Sequence, residues 1–358
     1  MPVEKIVGGA AEIPSGGNRD EPDETLMQAA ILDGVGQPLT VRQVADPTPS
    51  PGQAVVRLQA AALNHRDVWI QQGRYPGLKF PAILGSDGTG IVEAVARDGD
   101  RDWIGCAVVI NPSLEWGSDP RVQGPDFRIL GLPDNGTFAE AVAVPVTNLS
   151  ARPAHLSAEQ AAALPLTGLT AWRALFARGG LRAGESVLIT GIGGGAALIA
   201  LQFAVAAGAR VHVTSGSAEK LGLARELGAA GGANYHDADW AARLREQGGP
   251  FDLVVDSAMG ASLNALIELA RPGGRIVFYG ATTGNPPAFE ARKVFFRQIA
   301  LLGTTMGSPT DFAAMIQLVA TARIAPVVDT VHRLDQAEMA LRRLADGAQF
   351  GKVVLRTT

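Results

Sequence analysis

The feature that most constrains the fold of this chain is a glycine-rich loop at residues 186–203, which read SVLITGIGGGAALIALQF. Residues 187–190 have the apolar, β-branched character of a buried strand, and the residues from Ala196 onward favour a helix. A strand, a glycine turn and a helix in this order form the setting in which a loop binds the pyrophosphate of a dinucleotide. The sequence therefore predicts a βα unit of this kind.

Three glycines of the loop have a physical role in such a site. Gly191, Gly193 and Gly194 allow a tight turn and a close approach of the backbone to phosphate oxygens. The free N–H groups at the helix start attract the negative charge of the phosphates. Ala196 takes the third small position of the fingerprint, where alanine is tolerated. The alternative is a plain glycine turn in an α/β protein.

The next predicted strand, residues 209–215, bears on the choice of coenzyme. An NAD-binding site places a carboxylate at the end of this strand, where it binds the ribose 2′-hydroxyl. Here the end of the strand reads Thr214, Ser215, Gly216, without a carboxylate. Ser215 can donate to a phosphate and Lys220 can approach one as a point charge, so we expect NADP rather than NAD. The alternative for Lys220 is a solvated lysine on a helix surface.

The remaining pattern predicts an α/β fold with two sheets. After the loop, strands at 232–235, 251–257, 275–280 and 299–304 alternate with helices, which indicates a doubly wound parallel sheet of six strands. Before the loop the chain is rich in strands and turns, followed by a helical stretch at 153–181. Strands at 326–334 and 352–356 flank a helix at 336–345 and are expected to return to the first sheet. The earlier strands are predicted at 27–32, 39–43, 53–64, 91–95, 106–111 and 137–144.

Composition excludes several classes of protein. The 358 residues are 47% hydrophobic with a net charge of −4, which gives no electrostatic reason to bind nucleic acid or an anionic membrane. Apolar runs long enough to span a membrane are absent. The single cysteine, Cys106, rules out an intramolecular disulfide and a thiolate zinc cluster. We expect a cytoplasmic protein, with a flexible leader at residues 1–26 that is rich in small and polar residues.

A series of motifs in order resembles the medium-chain dehydrogenase/reductase superfamily. The motifs are ALNHRD at 62–67, GRYP at 73–76, the stretch from Pro81 to Val92, LTGLTA at 166–171, the glycine loop, and GKVVL at 351–355. The resemblance implies a GroES-like β domain that forms the substrate and catalytic domain at 27–151 and 324–358. It also implies a Rossmann dinucleotide-binding domain at 152–323, with the active site in the cleft between the two.

Within that superfamily the chain resembles the quinone oxidoreductase branch, which is zeta-crystallin-like and lacks zinc. Alignment by motif puts Asn64, Ser86 and Leu166 where the zinc-dependent members have metal ligands, and none of these is a usual zinc ligand. His65 and Asp87 lie close by, but catalytic zinc sites use three protein ligands. We therefore expect no metal.

The resemblance also implies site residues. Asn64 and Tyr75 are the expected catalytic residues, as hydrogen-bond donors to the substrate. The alternatives are a turn residue for Asn64 and a packing aromatic ring for Tyr75. The expected cofactor-binding residues are Thr170, Gly191, Gly193, Gly194, Ala196, Ser215, Lys220, Tyr235, Gly280, Phe350 and Lys352.

The expected function is zinc-independent, NADPH-dependent transfer of hydride to a quinone or an α,β-unsaturated carbonyl. Without a Lewis acid, a conjugated acceptor is easier to reduce than a simple ketone, because its developing charge is spread over more atoms. One alternative is an NAD(P)-dependent alcohol or carbonyl oxidoreductase, and another is an NADPH-binding sensor or structural protein without catalysis. A small-molecule substrate and a homodimer or homotetramer are the expected partners.

Overall fold

The computed structural model describes residues 25–357. The first predicted strand begins at Leu26, and the predicted leader otherwise lies outside the described residues. The strands are β1 Leu26–Leu32, β2 Thr40–Ala45, β3 Gln53–Ala62, β4 Ala82–Ile83, β5 Asp87–Val95, β6 Ala107–Ile110, β7 Ser113–Leu114, β8 Arg128–Ile129, β9 Ala141–Pro145, β10 Leu149–Ala151, β11 Ser186–Ile189, β12 Arg210–Ser215, β13 Gly231–Asn234, β14 Phe251–Asp256, β15 Ala270–Phe278, β16 Ala300–Gly303, β17 Val328–Arg333 and β18 Lys352–Arg356. The α-helices are α1 His65–Gln71, α2 Ala158–Ala162, α3 Pro165–Trp172, α4 Gly195–Ala206, α5 Ala218–Glu226, α6 Trp240–Gln247, α7 Leu263–Leu269, α8 Ala291–Phe296, α9 Pro309–Ala322 and α10 Ala337–Ala345.

The predicted parallel sheet of six strands is present. Its order is β13-β12-β11-β14-β15-β16, and every neighbouring pair is parallel. The central strand β11 is apolar, and Val187, Leu188 and Ile189 are fully buried, because helices cover both faces of the sheet. The strand order reverses beside β11, which is where doubly wound sheets bind ligands at the carboxyl ends of their strands. The α/β fold class is confirmed.

The second large sheet contains strands from both ends of the chain. Its order is β10-β6-β5-β3-β18-β17, with β9 also paired to β3. The C-terminal strand β18 pairs with β3 through Val354 and Ala62, so the last segment returns to the sheet formed by the first part of the chain, as the pattern predicts. The GroES-like β domain is thereby present. The pairing also brings Lys352, the first residue of β18, towards the start of α1.

Two local features differ from the predicted pattern. The strand predicted at 137–144 begins at Ala141. Thr137 instead donates its backbone N–H to the carbonyl of Gly85, and Gly136 packs so closely on that carbonyl that a Cβ would lie 2.1 Å from it. The short helix α2 lies within the range 152–323 predicted for the Rossmann domain, but Ala162 of this helix packs on the sheet that contains β3 and β18. The predicted domain boundaries remain predictions.

The helix α1 places the substrate end of the cleft. Asn64 precedes the helix, and its backbone N–H donates to Oδ2 of Asp67 at 2.8 Å, which fixes the first turn. Arg66, Asp67 and Val68 point into the protein, whereas His65 is exposed at the cleft wall. Within residues 25–357 the helices are too short or too polar to cross a membrane.

Candidate active site

A cavity of about 1230 Å³ lies between the two sheets, at the carboxyl ends of the parallel strands. It is lined by the glycine loop, by the start of α1, and by the residues around β18. Every predicted site residue except Phe350 lines this cavity. Phe350 packs against the apolar core instead, and its backbone N–H donates to Asp329 at 3.0 Å. The structure thus brings the predicted cofactor and catalytic residues to one cleft.

The glycine loop has the geometry that a dinucleotide phosphate requires. Gly191 and Gly193 have positive φ angles of 65° and 127°, which residues with a Cβ rarely adopt. A Cβ on Gly195 would lie 2.6 Å from Cδ of Lys352, so a larger residue at this position would displace the lysine. The helix α4 begins at Gly195, with its free N–H groups at the cleft. The loop therefore fits a pyrophosphate.

The opposite end of the loop, where adenosine would lie, is neutral or basic. Ser215 is buried at the end of β12, and its hydroxyl contacts the Ile192 carbonyl at 3.3 Å. Lys220 donates to the carbonyls of Gly347 and Gln349 at 3.1 and 2.8 Å. The remaining N–H of its ammonium can reach a ligand. Tyr235 and His236 complete this part of the wall as exposed rings.

The side chains that line the cleft wall carry a net positive charge. The wall carries Lys220, Lys352 and Arg66, with His65 and His236 beside them. Among the residues that the structure describes, Asp256 is the one acidic side chain on this wall, and it accepts hydrogen bonds from Thr190 Oγ1 and Met259 N. A site of this charge attracts an anionic coenzyme.

The backbone and hydroxyl groups near the nicotinamide position are also ordered. Gly280 packs so closely on the Ser257 carbonyl that a Cβ would lie 2.9 Å from it. Thr170 donates its hydroxyl to the Leu166 carbonyl at 2.8 Å, within α3. Burial raises the pKa of the neighbouring Tyr279 to about 12, against the hydrogen bond with Ser257, so this phenol keeps its proton at neutral pH.

A buried polar network joins the two halves of the cleft at its substrate end. The ammonium of Lys352 donates to Oδ1 of Asn64 at 2.6 Å and to Oδ2 of Asp87 at 2.9 Å. Asn64 Nδ2 also donates to Asp87, and the other carboxylate oxygen accepts the backbone N–H of Leu166 at 2.7 Å. Lys352 therefore does more than close over a coenzyme, because it holds α1, β5, α3 and β18 together.

The three positions that correspond to zinc ligands are engaged with protein groups. Asn64 and Leu166 belong to the network of Lys352 and Asp87. The hydroxyl of Ser86 accepts from Nη1 of Arg66 at 2.7 Å and donates to the Leu130 carbonyl at 2.8 Å. Across residues 25–357, groups of three or more His, Cys, Asp or Glu side chains able to hold a metal are absent. These residues do not fit a zinc ion, since amide, hydroxyl and leucine side chains are not its usual ligands.

Two neighbours of Asn64 on α1 have perturbed pKa values. Burial raises the pKa of Asp67 to about 6, and the Arg66 charge and the Asn64 N–H oppose this rise. Desolvation by the cleft wall lowers the pKa of His65, and the Lys352 charge lowers it further. His65 is therefore neutral at neutral pH and can accept or donate a hydrogen bond.

Arg66 is the cleft residue that sequence reasoning missed. Its side chain is 5% exposed, and its guanidinium carbon lies 4.9 Å from the centre of the Tyr75 ring. The signal available in the sequence is a basic residue directly before Asp67, within the ALNHRD motif at 62–67. A single arginine between His65 and Asp67 carries no periodicity, so its burial could be seen only in the structure.

Comparison with known proteins identifies the family. Residues 50–154 match the model of the alcohol dehydrogenase GroES-like domain, and residues 195–321 match that of the zinc-binding dehydrogenase domain. The chain is 36% identical to the zinc-type alcohol dehydrogenase-like protein YogA of Leptosphaeria maculans, over 89% of this chain and 94% of that protein. It is 30% identical to the acryloyl-coenzyme A reductase of Metallosphaera sedula, over 92% and 100%.

A solved structure agrees with this assignment. The crystal structure of an NAD-dependent alcohol dehydrogenase superposes with a TM-score of 0.87 at 39% identity, and the match covers 93% of this chain and all of that one. Its fold and the fold described here are the same, and these homologues are oxidoreductases by name. The chain is therefore an oxidoreductase that belongs to the medium-chain dehydrogenase/reductase superfamily.

Proposed function

We propose that this protein is a zinc-independent, NADPH-dependent reductase of quinones or α,β-unsaturated carbonyl compounds. One observation carries the proposal: Asn64, Ser86 and Leu166 stand at the zinc-ligand positions and are bonded to Lys352, Arg66 and Asp87. A substrate oxygen at this end of the cleft would meet N–H and O–H donors in place of a metal ion. Zinc occurs in the names of several relatives and of the matching family model, but those names describe the relatives and the family.

The charge of the cleft supports NADPH. The 2′-phosphate of NADPH would lie near Ser215 and Lys220, without a nearby carboxylate on the cleft wall to repel it. An enzyme that prefers NAD usually has a carboxylate at the end of the second strand, and β12 ends at Ser215. One similar structure is named as NAD-dependent, but the end of β12 in this chain carries Ser215 and no carboxylate, which favours NADPH.

The hydrogen-bond donors at the substrate end of the cleft favour reduction of a conjugated acceptor. The bound coenzyme supplies the hydride, and the chain must orient the acceptor and stabilise the charge that develops on its oxygen. Reduction of a plain ketone concentrates that charge on one alkoxide, which a metal stabilises well. Reduction of a conjugated C=C spreads the charge, so hydrogen-bond donors suffice. The similarity to an acryloyl-coenzyme A reductase is consistent with this reaction class.

The second candidate is an NAD(P)-dependent alcohol or carbonyl oxidoreductase. It is favoured by the names of the alcohol dehydrogenase relatives. The two candidates differ in the acceptor that they reduce and in the need for a metal, so one set of assays separates them.

The surroundings of the enzyme are also part of the proposal. We expect a small-molecule substrate, because the cleft is a cavity of about 1230 Å³ between two sheets. We place the protein in the cytoplasm, consistent with a single cysteine. A homodimer or homotetramer is expected, and β16 could contribute to it, because this strand lies at one edge of the parallel sheet and pairs with β15 alone among the described strands.

The test is a set of parallel rate measurements with NADPH and with NADH. The acceptors are a simple quinone, cyclohexenone, and cyclohexanone as the plain ketone. The proposal expects turnover of the quinone or the enone, with NADPH preferred. Turnover of cyclohexanone alone, or of alcohols in the reverse direction alone, supports the second candidate and contradicts the first.

A further inference from the structure

The side chain of Arg66 is a buried cation that is only partly satisfied by the protein. Nη1 donates to Ser86 Oγ at 2.7 Å and to the Leu130 carbonyl at 2.8 Å. Both acceptors are neutral. Nη2 is buried and has no hydrogen-bond partner within the part of the chain that the structure describes. A buried N–H without a partner is destabilising, and more so when it is charged.

The neighbouring carboxylate of Asp67 does not accept a hydrogen bond from the Arg66 guanidinium. Asp67 follows Arg66 in sequence, and the Arg66 charge acts to lower the Asp67 pKa. Oδ2 of Asp67, however, accepts the backbone N–H of Asn64, and the two side chains form no ion pair among the described residues. The guanidinium is held in place by Ser86 and Leu130, with one nitrogen left over.

Tyr75 lies next to this free nitrogen donor group. Its ring packs under the guanidinium, with 4.9 Å between the ring centre and the guanidinium carbon. Nε of Arg66 lies 3.5 Å from the Tyr75 oxygen, a long contact in which the tyrosine is the acceptor. The hydroxyl proton of Tyr75 therefore remains free to donate. Both residues line the cleft, near the apolar side chains of Trp69, Ile129 and Leu166.

We propose that Arg66 and Tyr75 form an oxyanion site, which binds the carbonyl oxygen of the acceptor and stabilises the enolate that develops there. This inference rests on the proposed function and names the residues that select the substrate. With Nη1 occupied, Arg66 offers one nitrogen and not a two-pronged fork. The site therefore suits the single oxygen of an enone, enal or unsaturated thioester better than a free carboxylate, which arginine binds through two N–H groups.

Reduction at this site adds a hydride to one carbon of the substrate and a proton from water to the next. The β-carbon of the substrate gains a C–H bond by accepting hydride, and the dihydronicotinamide ring is oxidised to nicotinamide. The π electrons of the C=C bond move towards the α-carbon and the carbonyl oxygen, where the N–H of Arg66 and the O–H of Tyr75 donate to the enolate. A proton from water then adds to the α-carbon, which restores the carbonyl and completes the reduction.

The test uses para-nitrophenol, a phenol whose anion resembles an enolate and absorbs visible light. It is added to the full-length protein saturated with NADP+, and the absorbance is titrated against pH. An oxyanion site binds the phenolate more tightly than the phenol, so the pKa of the bound probe is expected to fall by at least about one unit, a tenfold preference for the anion. Competition by cyclohexenone places the probe in the cleft. An unshifted pKa in the unaltered protein overturns the proposal.

Variants assign the effect to its residues. Arg66→Lys keeps the charge but loses the planar donor set, and it is expected to weaken phenolate binding and lower kcat with cyclohexenone by about 10²–10³-fold, the usual loss of an oxyanion donor. Tyr75→Phe removes only the hydroxyl and should act in the same direction. Arg74→Met, an exposed neighbour outside the cleft wall, is the matched control. Binding of NADPH, followed by fluorescence, shows that each variant is folded.

The outcomes separate this inference from the proposed function. A lowered pKa of the bound probe without turnover of any acceptor would support the oxyanion site and contradict the proposed reaction. Turnover of enones with equal kcat in Arg66→Lys and Arg74→Met would support the proposed reaction and overturn the oxyanion site. If Arg66→Lys does not fold, the unaltered protein and Tyr75→Phe decide: an unshifted probe pKa in the unaltered protein, or a shift in Tyr75→Phe as large as in the unaltered protein, overturns the oxyanion site.

Discussion

The ammonium of Lys352 lies 2.9 Å from Oδ2 of Asp87, with side chains that are 5% and 0% exposed. This ion pair joins the first residue of β18 to the first residue of β5, and Asn64 bonds to both partners. It closes the substrate end of the cleft, and the Cδ of the same lysine lies against Gly195 of the glycine loop. One side chain thus connects the catalytic network with the phosphate-binding loop.

Removal of this lysine should strongly destabilise the fold. Lys352→Met leaves the carboxylate of Asp87 buried without its cation, which usually lowers the free energy of unfolding by about 3–5 kcal/mol. Arg356→Met is the control on the same strand, because it breaks an exposed pair with Glu159 and should change the free energy by about 1 kcal/mol or less. Urea unfolding measures both. Equal losses in the two variants would contradict the structural role of the buried pair.

Asp67 should make the fold less stable as the pH rises from about 4 to about 6. Burial raises its pKa from 3.8 to about 6, so in this window the folded protein binds the proton more tightly than the unfolded chain does. The contribution of Asp67 to the free energy of unfolding therefore falls with increasing pH in this window, by roughly 3 kcal/mol, and is constant above about pH 6.

Urea midpoints between pH 4 and pH 8 (about one unit apart) test this for Asp67→Asn, which removes the titration but keeps an acceptor for the Asn64 N–H. The loss of stability that Asp67 contributes in the acidic window should be absent in this variant, so its midpoints should fall less, or rise more, with pH than those of the unaltered protein. It should persist in Asp335→Asn, a substitution on the surface. A pH profile that is the same in Asp67→Asn and in the unaltered protein would show that Asp67 does not titrate as described.

Lys220 should set the preference for NADPH. Loss of a charged hydrogen bond to the 2′-phosphate is worth about 1.5–3 kcal/mol, so Lys220→Met should raise KM for NADPH about 10- to 100-fold. KM for NADH should change far less, because NADH has no phosphate there. The exposed Lys79→Met is the control. A parallel rise for both coenzymes would mean that Lys220 acts only through its bonds to Gly347 and Gln349.

Neighbouring glycines of the loop should respond differently to alanine. A Cβ on Gly195 would lie 2.6 Å from Cδ of Lys352 and would displace the lysine from Asn64 and Asp87. A Cβ on Gly194 meets no atom within 4 Å among the described residues. Gly195→Ala is expected to lower the melting temperature by several degrees, about 1–3 kcal/mol of overpacking, whereas Gly194→Ala should leave it nearly unchanged. A reversed order would contradict the described packing.

Much of the fold could be predicted from local patterns in the sequence. Several strands of the parallel sheet are short apolar runs that end at a glycine or polar turn, as residues 187–190 do before Gly191, and alternation with helices specifies the doubly wound order. The glycine loop could be predicted for the same reason, because its conformational demands fall on consecutive residues. The two ends of the chain were also joined correctly, through the strand at 352–356.

The chemistry at the substrate end could not be predicted in the same way. Lys352 and Asn64 are 288 positions apart, so their hydrogen bond follows from the pairing of β18 with β3 and not from any local pattern. The sequence indicated Asn64 and Tyr75 as donors but could not show that Asn64 is engaged with Lys352 and Asp87. Phe350 was expected to close over the coenzyme, but its neighbours turn its ring into the core.

The central claim is that protein N–H and O–H groups take the place of a catalytic metal. The most direct test is to measure kcat/KM for enone reduction with NADPH before and after dialysis against a strong chelator, and again after addition of zinc, with the metal content determined in each sample. We predict activity that is unchanged within about twofold in all three, since no step depends on a Lewis acid. Loss of activity on dialysis, with recovery only when one zinc ion per chain is bound, would contradict the account.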